Sequence, residues 1–178
     1  MAAFPREELE EMVRRWLEAV KRAEAENDWG KHLTPFYTED AEYSWNVGPN
    51  DDFMARGRDQ IRDWALGAEM AGLDGWTYPY QQVLIDEKRG EVVGFWKQIA
   101  PFKRPDGSNY EVAGIGGTWF RYAGNYRWCQ QKDFFDIGNV AALIGKLDQA
   151  GLLDNVMKEK IRKGAEGELM PGHARRQG

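Results

Sequence analysis

Few side chains in this sequence are suited to chemistry on their own. It holds two histidines, His32 and His173, and a single cysteine, Cys129. That inventory argues against a His/Cys/carboxylate metal cluster, and no metal is expected. There is no Walker loop and no Gly-x-Ser-x-Gly elbow. The run Gly114-Ile-Gly-Gly falls inside an extended stretch instead of opening a helix, so it does not read as a phosphate cradle. Cys129 has no sequence signal for a paired base and reads as a buried or interface thiol. His32 reads as a surface or structural residue. Carboxylates remain. Asp133 stands on an expected strand whose period of two puts Cys129, Gln131 and Phe135 on the same face. An acid beside Phe135 is costly unless it is hydrogen-bonded or exposed. Both a satisfied strand-end anchor and a functional acid fit that position. Asp136 reads as the cap of the helix that follows.

The informative excess is aromatic, with eight Trp, seven Tyr and eight Phe. Such side chains bury large areas and line apolar pockets or interfaces, so the expected partner is a small hydrophobic or aromatic molecule. Trp119, Trp128 and Phe134 read as an outer sheet face. An aromatic outer face would otherwise be an exposed patch, which points to a homodimer. The net charge is −5; residues 158–178 carry +3, leaving −8 on the body. An acidic body argues against a nucleic-acid partner. No run approaches the roughly 20 apolar residues of a membrane span. The first residues lack an apolar signal core, and one cysteine cannot form an internal disulfide; both point to the cytoplasm.

The elements that must position these residues follow from periodicity. Leu9, Met12, Val13, Trp16, Leu17, Val20 and Ala23 make one apolar stripe, predicting a helix over 6–26. A short helix is expected over 29–36, a strand over 41–47, a loop over 48–52 and a helix over 58–70. Long strands follow at 77–86, 91–101, 109–122 and 126–136, joined by Gly-containing turns as an antiparallel meander. Gly114, Gly116 and Gly117 predict a bulge or strong bend. A helix is expected after Asp136, and another helical piece over 152–163. The expectation is one domain over 1–163 with a flexible tail over 164–178. The class is α+β: a curved sheet wrapped around helices.

Three stretches in this order resemble the nuclear transport factor 2-like superfamily, in its SnoaL-like branch. They are Phe36-Tyr-Thr-Glu-Asp-Ala-Glu-Tyr43, Ala55-Arg-Gly-Arg-Asp-Gln-Ile61 and Lys132-Asp-Phe-Phe-Asp-Ile-Gly138. The resemblance covers about residues 6–148. It implies a cone, a strongly bent antiparallel sheet enclosing an apolar pocket with N-terminal helices. It also implies acid/base chemistry by one or two carboxylates, with no cofactor. Burial raises a carboxylate's pKa and brings it closer to working pH.

Matching residue by residue narrows the implied chemistry. Against ketosteroid isomerases, the base position falls on Trp45 and the helix tyrosine near Trp16, so that mechanism is not expected. Against limonene epoxide hydrolases, Tyr43 and Asp133 match. The Arg-x-Asp pair falls on Trp96 and Gln98, and the asparagine near Trp45 with Asn46 beside it. Against the cyclases, Asp133 again takes the last-strand position. The resemblance therefore implies Asp133 as the proton-moving group, with Tyr43 and Gln98 polarising or orienting an oxygen. Tyr43 alternatively only packs. Trp96, Gln98, Trp45, Asn46, Trp16 and Phe135 would line the substrate site. The expected function is a cofactor-free acid/base enzyme on a medium-sized cyclic or aromatic molecule, of isomerase, cyclase, hydrolase or lyase type. The competing expectation is a non-catalytic carrier of the same fold.

Overall fold

The computed structural model describes residues 4–47 and 51–175. The first helix, α1 (Arg6–Glu26), buries Leu9, Met12, Trp16, Val20 and Ala23 of the expected stripe and adds Ala19, while Val13 and Leu17 are half-buried. Asp28 caps a short α2 (Trp29–Leu33) through the Lys31 N–H at 3.0 Å. Strands β1 (Tyr37–Val47) and β2 (Asp51–Arg56) follow. Of the loop expected over 48–52, residues 48–50 lie outside the described residues, and Asp51 and Asp52 already belong to β2. Helix α3 (Arg58–Gln60) continues over Ile61–Ala68 as a wider coil, where the Glu69 N–H donates to the Trp64 carbonyl five residues back at 2.8 Å.

The expected long strands divide where the sheet bends. They appear as β3 (Tyr80–Asp86), β4 (Glu91–Trp96), β5 (Ile99–Lys103), β6 (Asn109–Glu111), β7 (Gly116–Tyr122) and β8 (Trp128–Phe134). The chain closes with α4 (Ile137–Gln149), α5 (Asn155–Ala165) and β9 (His173–Arg175). Asp136 caps α4, as expected, accepting from the Asn139 N–H at 3.1 Å. The main sheet runs β3-β4-β7-β8-β1-β2-β9, and β5 and β6 pair separately as an arm between β4 and β7. This is an α+β fold, yet the sheet is mixed instead of purely antiparallel, because β1 runs parallel to β8. Gly114, at φ +84°, lies in the break between β6 and β7.

Trp16 sits at the centre of the main core, edge-on to Phe36, Tyr37, Phe120 and Trp128 with ring centroids 5.1–6.3 Å apart. A second cluster under α4 joins Trp76, Ala100 and Val112 to Leu143, Leu147 and Leu153. Two expectations for β8 change here. Trp128 is not on the outer face: it is fully buried and stacked on Phe120 at 4.5 Å. The cause is a bulge, since Arg121 pairs with Gln130 but Tyr122 with Trp128. Cys129 is the extra residue, so it leaves the Gln131 and Asp133 face and is half-buried, its thiol toward the Arg121 carbonyl at 3.5 Å. Phe134 does face outward, 44% exposed, and Trp119 is partly exposed on β7.

The C-terminal segment also departs from its expectation. Helix α5 runs to Ala165, and His173–Arg175 pairs with Asp51–Phe53 of β2. The His173 ring lies edge-on to Phe53 at 5.4 Å, and the Met54 N–H donates to the Gly172 carbonyl at 2.9 Å. Sparse apolar residues concealed this docking, because backbone pairing and one ring supply it. Removing residues 168–178 is therefore expected to cost about 2 kcal/mol, or about 4–8 °C in melting temperature for a chain of this size. A melting temperature unchanged in thermal denaturation would show that the β9 pairing adds nothing.

Candidate active site

Side chains from the inner face of the sheet and from α1 converge on a cavity of about 370 Å³. Strand β1 contributes Tyr43, Trp45 and Val47 by alternation, and β8 contributes Gln131 and Asp133. Trp16 enters from α1, Trp96 from β4, and Tyr80 from β3, where it pairs with Trp96. Two glycines make room for these rings. A Cβ on Gly116 would overlap the Trp96 indole, and one on Gly94 would overlap the Tyr80 ring. Leu73, Ile137, Val140, Ile144 and Met157 complete an apolar mouth.

At the floor lies Asp133, only 9% exposed. Its Oδ2 accepts from the Tyr43 hydroxyl at 2.6 Å. Its Oδ1 accepts from the Thr118 hydroxyl at 2.7 Å and the Gln131 amide at 3.0 Å. Those donors are themselves held. The Trp96 indole N–H donates to Thr118 at 2.9 Å, and the Tyr37 hydroxyl donates to the Gln131 carbonyl oxygen. Among the described residues no ion pair reaches Asp133. Burial pushes the Asp133 carboxyl above its usual range, and the bonds from Tyr43, Gln131 and Thr118 oppose that shift. Burial, and then the Asp133 charge, push the Tyr37 and Tyr43 phenols well above their usual values, so both stay protonated as donors.

At the mouth, the Lys160 ammonium donates to the carbonyls of Glu69 at 3.0 Å and Ala71 at 2.6 Å. Burial holds its pKa below the usual lysine value. His173 and Glu69 meet at 2.8 Å beside it.

Most residues expected in the site do meet. Asp133, Tyr43, Trp16, Trp45, Trp96, Gln98 and Phe135 all line the cavity. Asn46 does not: alternation turns it outward, where its amide donates to Asp52 at 2.7 Å. Tyr43 and Gln98 are also engaged differently from expectation. The Tyr43 proton is spent on Asp133, and the Gln98 amide reaches the Tyr78 hydroxyl at 3.4 Å. Tyr37, Tyr78, Tyr80, Thr118 and Gln131 were not foreseen in the site. Gln131 carried a signal, being two residues from Asp133 on one strand face. The tyrosines did not, because their convergence depends on the bend.

No family model and no curated protein matches the sequence. Solved structures do match the fold. A SnoaL-like protein from Shewanella putrefaciens CN-32 superposes with a TM-score of 0.57 at 17% identity, covering 81% of this chain and 88% of its own. An NTF2-like protein of unknown function from Burkholderia pseudomallei gives 0.56 at 12% identity, covering 77% and 97%. This is the nuclear transport factor 2-like fold. A hypothetical protein with a ketosteroid isomerase-like fold from Catenulispora acidiphila, in complex with trimethylamine, gives 0.56 at 17% identity, covering 76% and 92%. In this chain α4 lies beside the cavity mouth, and α5 and the β9 segment add Met157, Lys160, Met170 and His173 to it.

The raised Asp133 pKa has a defined sign in stability. The folded state holds this proton more tightly than the unfolded chain does. The group's favourable contribution is complete below the ordinary aspartate value of about 3.9 and is lost as pH rises through the folded value. Asp133→Asn removes that loss. Its melting temperature is expected to match the parent near pH 4 and exceed it increasingly toward pH 8. Parallel thermal melts across that range check it; a gap that stays flat, or closes with rising pH, contradicts the assignment.

Proposed function

We propose that the chain binds a medium-sized cyclic or aromatic molecule in this cavity and moves a proton on it with Asp133. The carrying observation is the 2.6 Å bond between Tyr43 and a carboxylate sealed at the floor of an aromatic cavity. A carboxyl pushed up by burial is a better matched acid or base near neutral pH than one in water. Oδ2 would take or return the proton, with Tyr43 compensating the change in charge. The Tyr78 hydroxyl accepts from the Gln98 amide, which leaves its own proton to orient a ligand oxygen. Isomerase, cyclase, hydrolase and lyase outcomes all fit this chemistry. The Catenulispora complex supports a small-molecule reading of the fold.

A carrier is the second reading. It is favoured by the three donors already on Asp133, which weaken it as a base. The discriminating experiment identifies a co-purified ligand by native mass spectrometry and then follows its turnover. For an enzyme, Asp133→Asn is expected to lower turnover about 10²–10⁴-fold, more than it lowers affinity. Turnover undiminished per folded molecule would leave the carrier reading in place.

The homodimer belongs to the same proposal, working in the cytoplasm. Leu84, Val93, Phe95, Trp119 and Phe134 stand on the outward-facing positions of β3, β4, β7 and β8, with Leu84 51% exposed and the Phe95 and Phe134 rings 6.3 Å apart. A row of this kind is more apolar than a monomer surface usually tolerates. Sedimentation at micromolar concentration is expected to give about twice 20.5 kDa, and Trp119→Glu to give the monomer. A monomeric parent chain would remove the dimer.

A further inference from the structure

We propose that the molecule this cavity takes is a cation: a protonated or quaternary amine on a cyclic or aromatic body, with Asp133 as its counter-ion. The inference rests on the small-molecule reading above and adds the charge of the ligand. It follows from three observations on the same floor.

The first is an account of donors and acceptors. The Tyr43 and Thr118 hydroxyls and the Gln131 amide are spent on Asp133. The Trp96 and Trp16 indoles are spent on Thr118 and Tyr80, and the Tyr37 hydroxyl on Gln131. A carboxylate has about four acceptor sites. Three are filled, and the open one is on Oδ2. The donors around Asp133 are thus turned to the protein, the Tyr78 proton standing apart from them, and a charged acceptor is left to the ligand. A floor built to stabilise an oxyanion would show the reverse.

The second is the placement of positive charge. The lining holds Asp133, Glu69, Lys160 and His173 as its charged or titratable groups besides phenols. Lys160 is tied to two carbonyls at the mouth, and His173 to Glu69. No cation reaches the floor among the described residues. An anionic ligand would meet Asp133 where charges act strongly through a poorly polarisable medium, while a cation would supply the missing partner.

The third is the wall. Trp16, Tyr37, Tyr43, Tyr80 and Trp96 are the aromatic side chains that share hydrogen bonds with the Asp133 network or with each other. Trp and Tyr rings attract ammonium groups through their quadrupoles, and more strongly once water is excluded. A neutral aromatic ligand would use their area alone and leave the carboxylate uncompensated.

The test compares two probes of one shape on the full chain at neutral pH: phenyltrimethylammonium and tert-butylbenzene, followed by tryptophan fluorescence and calorimetry. The cation is expected to bind at least about tenfold tighter. Asp133→Asn is expected to bring the two within about threefold, while Tyr43→Phe, which keeps the carboxylate, retains the preference. The Tyr43 variant and the parent comparison keep the test decisive if the Asn variant folds poorly. Equal or tighter binding of tert-butylbenzene overturns the cation proposal and leaves the small-molecule reading standing. So does binding of neutral 2-naphthol where phenyltrimethylammonium fails. A preference that survives in Asp133→Asn overturns Asp133 as counter-ion. Failure of all three probes removes both the proposal and the reading beneath it.

Discussion

A carboxylate sealed from water is the constraint around which this molecule is arranged. Left alone, a buried ionised Asp133 would cost several kcal/mol. Its neighbours answer that cost with three hydrogen bonds supplied from two other parts of the sheet and from its own strand. Each donor is held in turn. Thr118 receives from Trp96, and Gln131 receives from Tyr37. The aromatic residues of the cavity are therefore both wall and scaffold, since their polar ends hold the network while their rings exclude water. Such chained networks strengthen one another in a low dielectric, and they penalise any missing member.

That network needs room for its rings, and the room is left by residues with no side chain. Gly94 and Gly116 admit the Tyr80 and Trp96 rings where a methyl group would collide. The bulge at Cys129 restores the alternation that puts Gln131 and Asp133 inward while seating Trp128 in the core. The parallel pairing of β1 with β8 aligns Tyr43 with Gln131, which brings the Tyr43 hydroxyl to Asp133 two residues further along. Local defects in the strands and the precision of the site are one arrangement.

Much of this was legible in the amino-acid order. The stripe of α1, the Asp136 cap and the strand positions of Tyr43, Trp96 and Asp133 follow from period and residue type. What escaped depends on pairing that no single segment encodes. A period of two puts Trp128 outward because it cannot register an extra residue whose presence is visible only against β7. Asn46 stands next to Trp45 in sequence yet faces the other way, as adjacent strand residues do. The C-terminal strand was missed because backbone hydrogen bonds leave no mark in composition, and its apolar contacts are few. The tyrosines of the floor come from β1, β3 and the segment before β3, so only the folded sheet gathers them.

The pairing of β9 with β2 also governs the order in which the cavity is completed. Synthesis runs from the N-terminus, so β1 to β8 leave the ribosome ahead of β9. During that interval the open edge of β2 offers unpaired N–H and C=O groups, the kind of edge that invites pairing with another chain. The mouth meanwhile lacks Met170 and His173, which line it only when β9 docks. Edge protection and closure of the cavity thus arrive together, when β9 pairs with β2. With β9 undocked the vestibule is open; with β9 docked, a ligand meets a mouth whose rim is pinned by a strand.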